Sequence, residues 1–208
     1  MSDLEPWEPL LPITVAVVLA AVPARWWIAG GWALDLFIGH QTRAHSDTDV
    51  AILRGDQLAV QEALVGWDLR AADPPGTLRL WKRGEALELP IHDIWCRRSP
   101  SDPWAFQLML EDHNDAHWRF RRDQRVHLPL GALGWKTSDG FPCLVPEVQL
   151  LYKARPEPHP KDEVDFAVLV PLLSQAQRQW LRRALELTSP GHPWLPRLTQ
   201  GAPRRVLR

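Results

Sequence analysis

The stretch from residue 28 to 53 constrains this chain more than any other. Arg25–Ala29 reads as a short strand that ends at Gly30-Gly31. Trp32–Ile38 then reads as a buried helix turn, stopped by Gly39. Asp47–Leu53 is apolar and β-branched at alternate positions, so it reads as a second strand. Two carboxylates at i and i+2 of a strand, here Asp47 and Asp49, project from one face. Like charges that close repel, and half-burial deprives them of water, so a divalent cation is their natural counterion. Asp-x-Asp at a strand start is therefore an oxygen-ligand site suited to Mg²⁺. The di-glycine lets backbone approach a phosphate chain, and the helix N-terminus behind it favours negative charge. Taken singly, a Gly-Gly is more often a tight turn and an Asp-x-Asp a solvated strand end. In this order and spacing they equip a chain for metal-assisted nucleotidyl transfer.

The rest of the chain supplies a mixed framework. A helix is predicted over 9–21 and another over 57–65, the latter capped by Asp56. Strands are predicted over 77–82 and 86–95, joined by Lys82-Arg83-Gly84-Glu85, with further strands at 104–111 and 117–122. Past Gly140 the pattern turns helical. Pro146 sits at a first helical position before Glu147–Ala154, and 161–173 continues with helical spacing. Ser174 and Gln177 resemble a capping box opening a helix over 175–187. From about Pro196 the chain reads as a frayed tail. The expected organisation is α+β: a mixed sheet flanked by helices over 1–140, then a helical portion over 141–208.

Composition excludes several classes. With 24 basic and 25 acidic residues, a net charge of −1, the chain lacks the basic excess of a protein that tracks along nucleic acid. Arg119, Arg121, Arg122 and Arg125 do cluster, which reads first as a solvated strand and turn. The apolar run Leu10–Val22 is short for a membrane span and contains Pro12. Asp3, Glu5 and Glu8 before it carry the wrong sign for a secretory leader. Cys96 and Cys143 show neither metal-ligand spacing nor a bridge pattern, which fits reduced thiols in the cytoplasm. Twelve tryptophans spread along the chain should serve mostly as core or wall residues.

The run Gly30-Gly31-Trp32-Ala33-Leu34-Asp35 through Arg43-Ala44-His45-Ser46-Asp47-Thr48-Asp49-Val50 resembles antibiotic nucleotidyltransferases of the polymerase-β-type superfamily. Within that group it is similar to aminoglycoside 2''-adenylyltransferase-like and lincosamide nucleotidyltransferase-like proteins. The close match spans roughly 28–53. A weaker echo lies in Leu151-Tyr152-Lys153-Ala154 and in Lys161-Asp162-Glu163-Val164-Asp165-Phe166. The resemblance implies a nucleotidyltransferase-type sheet, a helical second portion, ATP or another NTP, and one or two Mg²⁺ ions. It assigns Gly30 and Gly31 to phosphate contact and Asp47 and Asp49 to metal, with Arg43 and His45 at polar positions of the same run. Asp35 also matches, as a residue holding the loop through backbone N–H groups. Lys153 matches a helical lysine that would neutralise phosphate; a solvated lysine is the plainer alternative. Lys161, Asp162 and Asp165 read first as an exposed helix face.

The same resemblance calls for a third carboxylate that binds metal or serves as general base. Asp93 and Glu88 both sit among apolar residues, and Asp93 is the preferred candidate. His92 beside it invites a zinc reading, which the absence of a Cys/His cluster at ligand spacing opposes. The expected reaction moves a nucleoside monophosphate, AMP above all, from an NTP to a hydroxyl of a small molecule such as an aminoglycoside or lincosamide, an antibiotic-resistance activity. Glu111, Asp112 and Asp115 are candidates for an acidic patch facing a polycation. The rival readings are a toxin-like enzyme that modifies protein or tRNA, a non-catalytic nucleotide-binding module, and an ordinary α/β domain. Sequence leaves the oligomeric state open.

Overall fold

Both faces of a central strand are buried when its residues alternate between two covering layers, and Asp49–Leu53 is built that way. In the computed structural model, which describes residues 6–199, Ala51 and Leu53 belong to one core while Val50 and Ile52 belong to the other. The elements in order are α1 (Pro12–Leu19), β1 (Trp26–Ile28), α2 (Gly30–Ile38), β2 (Asp49–Leu53), α3 (Gln57–Ala63), β3 (Asp68–Ala72), β4 (Leu78–Leu80), β5 (Asp93–Arg97), β6 (Phe106–His113), β7 (His117–Arg119), β8 (His127–Pro129), β9 (Gly134–Lys136), β10 (Pro142–Leu144), α4 (Pro146–Lys153), α5 (Pro160–Leu169), α6 (Gln175–Thr188) and α7 (Leu195–Thr199). The sheet runs β4-β3-β5-β6-β2-β1-β10-β9, and β7 and β8 extend from the far end of β6. β2 pairs parallel to β6 and antiparallel to β1, so the sheet is mixed.

The first core joins one sheet face to the C-terminal helices through Val148, Leu151, Phe166, Leu181 and Leu185. The second joins the other face to α1 and α3 through Val15, Leu19, Val60 and Leu64. Leu185 and Leu64 are each at most 1% exposed. Truncating either to Ala costs about 2–5 kcal/mol, lost transfer energy plus a cavity. Among the described residues no helix is long and apolar enough to cross a membrane. The capping box at Ser174 and Gln177 is formed in both directions, which fixes the start of α6.

Several expected boundaries move for physical reasons. The pair of strands predicted over 77–82 and 86–95 does not form as a hairpin. β4 pairs with β3, and β5 begins only at Asp93. Pro90 lacks an N–H for a ladder. The intervening backbone is instead satisfied by α3: Gln57 Oε1 accepts from the Leu87 N–H, and Gln61 bonds Gly84 N–H and Lys82 O. The helical pattern of 161–173 ends at Leu169 and tightens to a 3₁₀ turn at Val170–Leu172 around Pro171. Sheet pairing continues past 140, since Ile28 of β1 meets Cys143 of β10 in parallel. The expected tail starts inside a helix: α7 includes Pro196, and Trp194 before it is fully buried, stacked on Phe166 at 4.1 Å. The remainder of that expected tail, 200–208, and the acidic residues Asp3 and Glu5 lie outside the described residues.

Candidate active site

Strand order decides which side chains can meet. β6 lies between β5 and β2, and Asp49, Gln107 and Trp95 stand in register across the three. Asp93 opens β5 opposite Met109, one pleat along, on the same face as Gln107 and Asp49. Two strand spacings separate Asp93 from Asp49 laterally, about 10 Å at the backbone. Gln107 stands between them, its Nε2 donating to Asp93 Oδ1 at 3.1 Å. Asp47 precedes the strand, half-buried in the connecting loop.

The Asp49 carboxyl is held in an unfavourable place for a charge. Burial first, then repulsion from Asp47 and Asp93, push its pKa up to about 7 against the pull of Lys153 and Lys161. Among the described residues neither the Asp47 nor the Asp49 side chain accepts a hydrogen bond from the protein. Gly30 packs directly on this group: a Cβ there would fall on Asp49 Oδ2. Unpaired, crowded carboxylate oxygens are the donor set that Mg²⁺ takes. Among the described residues no three acidic, His or Cys side chains enclose a metal unaided. A cation here would complete its shell from phosphate oxygens and water, the usual habit of Mg²⁺.

The two glycines answer structural constraints of their own. Gly30 has φ +64°, a backbone region that favours glycine. Its N–H is already taken by Gln149 Oε1 of α4 at 2.8 Å. The amides that α2 cannot bond internally, those of Gly31 and Trp32, are the ones left at the helix start. Gly31 is small because the following loop presses on it: a Cβ would lie 2.5 Å from the His45 ring and 2.6 Å from Arg43 Nη2. That loop is anchored by Asp35, which accepts from Thr42 Oγ1 at 2.6 Å and contacts His45 Nε2 at 2.5 Å. Asp35 therefore holds the loop through side chains and not through backbone N–H groups. Arg43 Nη1, which only donates, lies 3.1 Å from His45 Nδ1, so the ring proton belongs on Nε2, facing Asp35.

Arg43 and Lys153 converge on one acid. Arg43 donates to Asp165 at 3.1 and 3.2 Å, and Lys153 lies 2.8 Å from Asp165 and 3.1 Å from Asp162. Lys153 is thus neither a solvated lysine nor an unpaired point charge. Asp162 and Asp165 are buried at 3% and 5% exposure, which corrects the expectation of an exposed face; only Lys161 of that trio is exposed. Burial opposes ionisation of Asp165, yet the hydrogen bonds from Arg43 and Lys153 outweigh it and hold its pKa below the usual aspartate range.

Other expected residues fall elsewhere. Glu88 is exposed and lines a separate cavity of about 540 Å³ with Arg54, Asp112 and His113. His92 packs against Arg54, its Nδ1 3.0 Å from Nη2. The acidic patch does not assemble. Glu111 is buried, receiving Trp118 Nε1 and Tyr152 Oη at 2.5 Å each, and burial raises its pKa. Asp112 is bound by Arg54 at 2.6 Å, and Asp115 is exposed in a turn. Sequence reasoning missed Gln107 and Gln149. Gln149 stands four residues before Lys153 on α4, a same-face spacing that could have marked it.

Residues 13–169 match the family described as Aminoglycoside-2''-adenylyltransferase. No curated protein matches the chain. Among solved structures, the lincomycin-bound lincosamide antibiotic adenylyltransferase LnuA is similar at 17% identity and TM-score 0.51, covering 76% of this chain and 92% of that one. ANT(2'')-Ia in complex with adenylyl-2''-tobramycin is similar at 18% identity and TM-score 0.51, covering 83% and 94%. A solution structure of ANT(2'')-Ia gives TM-score 0.52 at 18% identity, covering 84% and 89%.

Proposed function

The chain belongs to the aminoglycoside-2''-adenylyltransferase family, and from that premise we propose that it transfers AMP from ATP to a hydroxyl of a small, antibiotic-like molecule at the Asp47–Asp49–Asp93 site. The observation that carries this reading is the crowded, unpaired Asp49 carboxylate between Asp47 and Asp93, pressed against the phosphate-loop glycine. Asp47, Asp49 and Asp93 would hold Mg²⁺, which when bound supplies the positive charge that a triphosphate needs. The amides of Gly31 and Trp32 at the α2 N-terminus receive phosphate oxygens, and Lys153 offers its charge from α4. Asp93, one strand beyond Gln107, faces the acceptor and draws the hydroxyl proton as the oxygen attacks the α-phosphorus. The α–β bridging bond breaks and pyrophosphate leaves. Two buried, unbridged cysteines fit work in the cytoplasm.

The test is incubation with ATP, Mg²⁺ and lincomycin or tobramycin alongside a wider hydroxyl-compound panel, read by mass spectrometry and pyrophosphate release. An AMP-sized mass gain on one acceptor, lost in Asp49→Asn, is expected. Pyrophosphate release that persists unchanged in Asp49→Asn overturns the assignment.

A further inference from the structure

The arginine cluster at 119–125 divides in the folded chain. Arg125 grips Asp123 with a closest contact of 2.6 Å and reaches Leu187 O, and Arg119 donates to Gln124 O, so both are spent on the turn. Arg121 and Arg122 turn the other way. Arg121 lies over the Tyr152 ring at 5.4 Å, with Nη1 3.9 Å from Asp93 Oδ1. Arg122 lies over Phe120 at 5.7 Å and Tyr152 at 6.0 Å. Among the described residues neither guanidinium donates a hydrogen bond to the protein, and Arg122 has no acidic partner. Arg122 is exposed, and partial desolvation, then Arg121 and Arg155, lower its pKa against the pull of Tyr152.

Position along the sheet says which substrate they face. In the order β5-β6-β2-β1, Gly30 follows β1 while Asp93 opens β5, so Asp49 separates them. Phosphates belong at the Gly30 and Lys153 end, leaving Arg121 and Arg122 beside the acceptor. The acids that would suit a polycation are withdrawn, Glu111 into the core and Asp112 onto Arg54.

We propose that the acceptor carries an anionic group, a carboxylate or phosphate, which Arg121 and Arg122 bind beside Asp93, with the Tyr152 ring beneath the two guanidiniums. The proposal rests on the nucleotidyl-transfer reading of the site. Planar guanidiniums with free donors match such oxygens in bidentate fashion. A polycationic acceptor would meet like charge and be selected against.

The experiment uses the full chain with Mg²⁺ and α,β-methylene ATP, which cannot transfer its AMP. Calorimetry compares sugars that share one ring and differ in charge: glucose 6-phosphate, glucuronate, glucose and glucosamine. At least one anionic sugar should bind about tenfold tighter than glucosamine, and which of the two leads separates phosphate from carboxylate. Arg122→Gln, which leaves the Arg121–Asp93 pair intact, should cut that preference to about threefold, and Arg121→Gln/Arg122→Gln should abolish it. Equal binding of all four sugars, no binding of any, or tighter binding of glucosamine overturns the proposal. So does an anionic preference that survives the double variant. Failure to bind the nucleotide analogue sinks the transfer reading instead, and the sugar ranking on the free chain still decides this one.

Discussion

On the Gly30 side of Asp49 four charged side chains pair with one another, whereas on the Asp93 side, among the described residues, two guanidiniums donate no hydrogen bond. Arg43, Lys153, Asp162 and Asp165 close into one network, and Gln149 caps Gly30. Among the described residues Asp93 is steadied by Gln107 alone at hydrogen-bond distance. On the proposed reading the contrast follows what each side would recognise. A triphosphate is the same for every acceptor and rewards a framework set in advance. An acceptor varies, and the two guanidiniums beside Asp93 keep donors that the fold does not use.

The two sides meet at the carboxylate pair, so removing it should have the largest effect. Asp47→Asn/Asp49→Asn is expected to lower transfer by about 10³-fold, the upper range for a lost electrostatic centre. It should also abolish the Mg²⁺-dependent rise in Tm with ATP. Because Asp49 is held near pKa 7 by burial and repulsion, the ligand-free variant should melt no lower than the parent. Retention of the metal-dependent shift would break the comparison at its root. Next, Asp93→Asn should reduce kcat by about 10²-fold while leaving nucleotide affinity and Tm nearly unchanged. Glu88→Gln, in its separate cavity, should behave as the parent; the reverse result in steady-state kinetics would exchange the two acids.

The Gly30 side should fail differently, through stability. Asp165→Asn leaves Arg43 and Lys153 without their shared partner and should cost about 3 kcal/mol in denaturant unfolding. The pKa of Asp165 is depressed on folding, so its contribution is complete above about 4, the ordinary aspartate value, and drains as pH falls through the lower folded value. The variant should therefore show a flatter acid limb than the parent; parallel limbs would mean the pair contributes nothing. The smallest effect is expected at Gln149. Gln149→Leu frees the Gly30 N–H, and KM for ATP should rise about fivefold, near 1 kcal/mol, with kcat held. An unchanged KM would show that Gly30 needs no cap.

What sequence revealed and what it hid divides along the reach of each interaction. β1, α2 and β2 were legible because their determinants are neighbours: a di-glycine, a Gly39 stop and an alternating strand within one short run. α4 and α6 were legible from Pro146 and the Ser174–Gln177 box, again local. Asp165 looked like part of a solvated face because its partner Arg43 lies 122 residues away in sequence, and Asp162 because Lys153 reaches it from the preceding helix. The start of β5 was hidden because α3 glutamines, remote in sequence, hold the preceding loop. Asp93 could be named as an acid of interest, but its place beside Asp49 depends on β6 coming between, which no local pattern encodes.

The parallel pairing of Ile28 with Cys143 sets a timetable for synthesis. All three carboxylates have been synthesised by residue 93, yet β1 still lacks its second neighbour, and Gln149, Lys153 and Asp165 do not exist. A nascent chain therefore carries the acids without the groups that restrain them, and its unpaired β1 edge is open to wrong partners until β10 arrives. Shortened products that stop before α4 should be inert toward ATP and prone to aggregate, so the activity appears all at once, in chains that have passed residue 165.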